Sequence, residues 1–136
     1  MQAAIQSIER MFRAVETGDA NDAEVYIASD YLNRESVDDG RSDKRGPEEF
    51  PDNVHWLREA FSDLHFENID RFVCGDWVIG VTYMNGKHTG SFFGILATNR
   101  TFRQRQIHVF RIDQENQVTE HVAQRDDLGL RLQLTS

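Results

Sequence analysis

In TFRQRQIHVFRID, residues 101–113, the side chains alternate: Phe102, Gln104, Gln106, His108, Phe110 and Ile112 fall on one side, Arg103, Arg105, Ile107, Val109 and Arg111 on the other. A strand sends successive side chains to opposite faces, so this is one long two-faced strand. The arginine-bearing face has to be largely wet, which turns His108 and two glutamines inward among aromatics. A closed apolar core has no use for them, because each buried polar group costs free energy unless it is paired. The inward face therefore reads as one wall of a small-molecule pocket.

The period of two begins earlier and continues later. DWVIGVTYMNG is a β-branched and aromatic strand ending in Asn85-Gly86, a hairpin signal that makes KHTGSFFGI its expected return strand. Parity groups Val78, Gly80, Thr82 and Met84 on one strand and His88, Gly90 and Phe92 on the next, and leaves open which side faces in. QVTEHVAQRDD follows residues 101–113 across a tight polar turn at QEN. Steps of two put Glu120, Val122, Gln124 and Asp126 on one of its faces and His121, Ala123 and Arg125 on the other. With the first face inward, the pocket is expected to hold His88, His108, Gln106, Glu120 and Asp126 among Phe92, Phe110 and Val122. HFENIDRFV reads as a further, less regular strand.

The first half has a helical period. Ile5, Ile8, Phe12 and Val15 recur at three and four before Gly18, and a short second helix follows Asp22 through AEVYIA. NRESVDDGRSDKRGPEE mixes both charge signs with Gly and Pro and reads as a solvated loop. A third helix follows Pro47 with Phe50, Val54, Leu57, Phe61 and Leu64 as its stripe; Pro51 fits only in its first turn. Helices first and antiparallel strands after, within 136 residues, predict a single α+β domain over 1–136, with helices covering the concave face of a curved sheet.

A formal charge of −8 argues against nucleic acid or an anionic membrane as partner. Neither a signal peptide nor a spanning segment is expected, so the predicted location is the cytoplasm. The single cysteine, Cys74, reads as a buried structural thiol. The five histidines form no metal-ligand spacing, so no metal site is expected. His55, His65 and His121 read as hydrogen-bonded structural residues, Asp127 as a solvated charge or a cap for the following LGL turn, and Trp56, Phe61 and Trp77 as core or interface.

GPEEFPDNVHWLREAFSDLHFEN, GDWVIGVTYMNGKHTGSFFG, TFRQRQIHVFRI and TEHVAQRDDLGLRLQL, in that order, resemble the SnoaL-like polyketide cyclases, or ester cyclases, from about Tyr26 to Leu134. The resemblance implies the cone-shaped α+β barrel of the nuclear-transport-factor and ketosteroid-isomerase type, and ring closure by intramolecular aldol condensation with no metal or cofactor. It places the acid/base on Asp126 of RDDLG and pocket residues on His88 and His108. Where the family usually carries tryptophan this chain has Val122, a common histidine is replaced by Arg34, and the usual PPTG is LATN.

For such a closure Asp126 would act as base, with His88, His108 or Gln106 on the developing enolate oxygen and Val122, Phe110 and Leu128 supplying desolvation. Two rival readings are an epoxide-opening cyclase or hydrolase of the same fold and a non-catalytic binding module for an apolar small molecule. Ile107, Val109 and Tyr83 between arginines on the outer sheet face predict a homodimer.

Overall fold

The computed structural model describes residues 1–136. Helix α1 (Gln2–Thr17) buries Ala4, Ile8, Met11, Phe12 and Val15 on one stripe. It stops at Gly18, whose left-handed φ of 82° lets its N–H reach Ala14 O at 2.8 Å. The one-turn α2 (Ala23–Tyr26) runs into β1 (Ile27–Asn33), so IASDYLN is a strand where only the end of a short helix was expected. After α3 (Arg34–Asp38), α4 (Glu49–Ala60) buries Phe50 and Val54, with Pro51 in its first turn as its missing N–H requires.

The stripe expected to continue to Leu64 breaks at Phe61. Its backbone is extended, it pairs with His88, and both Phe61 and Leu64 belong to β2 (Phe61–Cys74). Sheet pairing here overrides a helical spacing of apolar residues. Strands β3 (Trp77–His88), β4 (Thr101–Ile112) and β5 (Val118–Arg125) follow, and α5 (Asp127–Thr135) closes the chain.

The sheet order is β1-β5-β4-β3-β2, antiparallel throughout except that β1 runs parallel to β5 at one edge. Asn85-Gly86 is no hairpin: β3 runs through it to His88, and the tight turn lies at Gly75-Asp76 between β2 and β3. Glycine at 86 answers packing instead, since a Cβ there would stand 3.0 Å from Leu64 Cδ2 and 3.1 Å from Phe102 Cζ. KHTGSFFGI accordingly leaves the sheet after His88 as a long loop to β4. Cys74, expected buried, is exposed at the end of β2.

The helices pack on one side of the sheet, and the core sits between them and the inner faces of β3 and β4. The segment read as a solvated loop is partly interior: Asn33, Ser36 and Glu49 are buried in one hydrogen-bonded group. Its opposite charges pair with each other and with Arg125, which lets it approach the core. No helix is long and apolar enough to cross a membrane.

Candidate active site

Between the helices and the inner sheet face lies a cavity with mostly apolar walls. Met11, Phe12 and Val15 come from α1, Phe50, Trp56 and Leu57 from α4, Phe66, Met84 and Phe110 from the sheet, and Phe92 from the loop after β3. The space within these walls, mouth included, is about 640 Å³, of which the centre of a water molecule can reach about 60 Å³. The cavity is therefore narrow. Glu35, Asn53, Trp56, Leu57, Phe66 and Arg125 are lining residues that keep partial exposure, which puts the opening among them.

One wall is polar. Gln104, Gln106 and His108 leave β4 at alternate positions, and His121 and Arg125 come from β5. Gln104 Nε2 donates to Asp127 Oδ1 at 3.2 Å and Gln106 Nε2 to Gln104 Oε1 at 2.9 Å, while His108 Nε2 lies 2.7 Å from Gln106 Oε1. On its other side His108 Nδ1 lies 2.8 Å from His121 Nε2, and His121 Nδ1 is 3.1 Å from Asn33 Oδ1. The Asn33 amide is held, because its nitrogen donates to Ser36 and Glu49 and its oxygen accepts from the Glu35 N–H.

Burial, reinforced by the neighbouring His121, holds His108 well below the ordinary histidine range; burial, reinforced by Arg41, holds His121 at about 4. Both rings are neutral near pH 7 and bring two N–H groups between them. Three contacts ask for a proton: the one to Gln106 Oε1, the one between the rings and the one to Asn33 Oδ1. With both rings neutral two of the three are filled at a time, because turning the Gln106 amide would set its Oε1 against Gln104 Oε1.

The second polar group sits at the mouth. Glu35 Oε2 accepts from Arg125 Nη1 at 3.3 Å, and Glu35 Oε1 is 3.8 Å from Arg41 Nη2. Burial raises the Glu35 carboxyl to about 7, against the lowering effect of Arg125 and Arg41. No three His, Cys, Asp or Glu side chains converge as a metal site.

Of the residues expected from sequence, His108, Gln106, Phe92 and Phe110 line the cavity. His88 is fully buried behind it against Phe61, its Nδ1 accepting from the Thr98 N–H at 3.2 Å and its Nε2 without a partner. The β5 face is the reverse of the one expected. Phe110 pairs with His121 and Gln106 with Arg125, so His121, Ala123 and Arg125 share the inner side. Val122 and Glu120 therefore point outward: Val122 stands opposite Val109, and Glu120 pairs with Arg34 at 3.2 Å. Asp126 lies past the strand end, exposed, and its Oδ1 accepts from Gly129 N–H at 2.9 Å as the N-cap of α5. The capping role considered for Asp127 is Asp126's, and Asp127 pairs with Arg125 instead.

His121, Arg125 and Glu35 were missed as site residues. The parity of β5 was visible, but its partner register was not; Glu35 lay in a charged stretch with no local sign of burial.

Residues 6–134 match the family model described as SnoaL-like polyketide cyclase. The chain is 36% identical over 135 residues to the aklanonic acid methyl ester cyclase DnrD of Streptomyces peucetius, covering 98% of this chain and 92% of that one. It is 34% identical over 103 residues to the nogalonic acid methyl ester cyclase of Streptomyces nogalater, covering 75% of each. Among solved structures, TsrD from Streptomyces laurentii superposes with a TM-score of 0.86 at 24% identity, over 98% of this chain and 96% of that one. At this identity the superposition speaks for the fold alone.

Proposed function

The chain belongs to the SnoaL-like polyketide cyclase family and is an enzyme of that kind, and from that premise we propose that it closes a ring in an aromatic polyketide methyl ester by intramolecular aldol chemistry. The observation that carries this reading is the cavity itself: aromatic walls for a flat apolar substrate, facing one row of amides and imidazoles. Such a row can hydrogen-bond an enolate oxygen as charge develops on it, in a site from which water is largely excluded. The apolar walls fold a flexible chain into a ring-forming pose, an entropic contribution. Gln106, whose second Nε2 hydrogen meets only the Met84 sulfur at 3.6 Å, is the residue of this row placed to meet the oxygen, with His108 holding its amide and Phe92 and Phe110 against the rings of the substrate.

The reaction uses side chains alone, with no metal or organic cofactor, in a single domain acting in the cytoplasm. We also infer a homodimer formed through the outer sheet face. Phe72, Ile79, Val109 and Val122 pair in sequence across four strands and make one apolar row there.

The test is direct. Purified protein is incubated with aklanonic acid methyl ester, and the ring-closed isomer is followed by chromatography and mass. Closure at many times the buffer rate is expected; closure no faster than in buffer would overturn the reading.

A further inference from the structure

Resting on the cyclase reading, we propose that Glu35 is the acid/base of the ring closure, the group that removes the carbon-bound proton and returns it to the new alkoxide. The enolate that forms then attacks the ketone carbon; a C–C bond is made, the C=O π pair moves to oxygen, and that oxygen takes the proton from the Glu35 carboxyl. Substrate and product are isomers, and the carboxylate ends as it began.

The charge around Glu35 makes it the group that exchanges a proton. Facing it are Arg125 of β5, Arg41 and Asp39 after α3, Asp127 at the start of α5, and the buried Tyr31 of β1. Arg125 is already held twice by Asp39, at 2.8 and 3.2 Å, and twice by Asp127, at 3.1 and 3.2 Å. Glu35 adds one 3.3 Å contact to a guanidinium that does not need it. Two cations thus stand among three carboxylates, and Glu35, with a side-chain exposure of 13% against 20% for Asp39 and 55% for Asp127, is the costliest of the three to ionise.

Geometry supplies the substrate side. Glu35 lines the cavity at its mouth, whereas every ring nitrogen of His108 and His121 is already engaged with Gln106, Asn33 or the other ring. Arg41 Nη2 is buried and donates to nothing, 3.8 Å from Glu35 Oε1, while its Nη1 donates to Asn53 and its guanidinium lies over Trp56 at 3.8 Å. Asn53 and Trp56 are both wall residues. Arg41 stands behind this wall, and its unused donor is placed to hold the Glu35 carboxylate whenever that group ionises. A carboxyl raised to about 7 is also matched to taking and giving a proton near neutral pH.

The experiment measures two rates on wild type, E35Q and E35D: closure of aklanonic acid methyl ester, and deuterium uptake in D2O by its analogue with the accepting ketone reduced, which enolises but cannot close. Melting curves confirm folding of each variant. E35Q should lose both rates by a hundredfold or more with little change in KM, and should lose the wild-type ionisation near pH 7 from the kcat/KM profile. E35D, still a carboxylic acid, should keep that ionisation at a reduced rate. A folded E35Q that exchanges and closes at near wild-type rates would overturn the role of Glu35 and leave the cyclase reading standing. Wild type without either activity would overturn both.

Discussion

Val109 of β4 stands opposite Val122 of β5 on the outer side of the sheet, and this register turns His108 and His121 inward until their ring nitrogens are 2.8 Å apart. Two stacked imidazoles in a dry wall are stable as neutral rings and unstable as cations.

The consequence is an acid-side loss of stability. Both histidines have folded-state values below the unfolded value of about 6.5, His121 at about 4. The unfolded chain therefore binds more protons between those values, and the stability present above pH 6.5 falls as pH drops toward 4. In melts taken from pH 7 to 4, wild type should lose Tm more steeply than His121→Asn, which cannot titrate there. Parallel curves would show that His121 is not held neutral.

Glu35 titrates with the opposite sign. Its folded value of about 7 lies above the ordinary 4.5, so its contribution is complete below pH 4.5 and is lost as pH rises through 7. That shift corresponds to at most about 3 kcal/mol at alkaline pH. E35Q should melt at or above the wild-type temperature at pH 8 and show no such gain at pH 5. A large Tm loss for E35Q at pH 8 would mean that its ion pairs with Arg125 and Arg41 outweigh its burial.

The single strand β4 could be read completely, because its arginines mark the wet face and so locate Gln106, His108 and Phe110. β5 lacks that mark: Glu120 and Arg125 place one charge on each face, and only pairing with β4 decides between them. The Asn85-Gly86 signal failed for a related reason, since Gly86 is required by Leu64 and Phe102 across the core and not by a turn. Glu35 is legible only in three dimensions, because the charges that let it approach the cavity come from residues as distant as Arg125.

Asp126 separates the family resemblance from the geometry. Its carboxylate caps α5 so closely that a Cβ on Gly129 would lie 2.2 Å from Asp126 Oδ2. Asp126→Ala should cost about 1 kcal/mol, as loss of an N-cap does, and change turnover only a few-fold. Gly129→Ala should disturb the same cap. Turnover reduced a hundredfold in a folded Asp126→Ala enzyme would return the acid/base to this residue.

The outer apolar row makes the last prediction. Phe72 pairs with Ile79, Ile79 with Val109 and Val109 with Val122, and the row is bordered by Ile107, which is 37% exposed, and by Arg111. Val109→Glu should be tolerated by a monomer, where Arg111 is its neighbour on the same strand face, and rejected by a self-complementary interface, where the two-fold brings the same carboxylate from each copy into one apolar patch. Sedimentation of wild type should give twice the mass of 15.8 kDa, and Val109→Glu should sediment near the single mass with its far-UV spectrum unchanged. A wild-type protein that stays at the single mass across the concentration series would show that this row is covered in some other way.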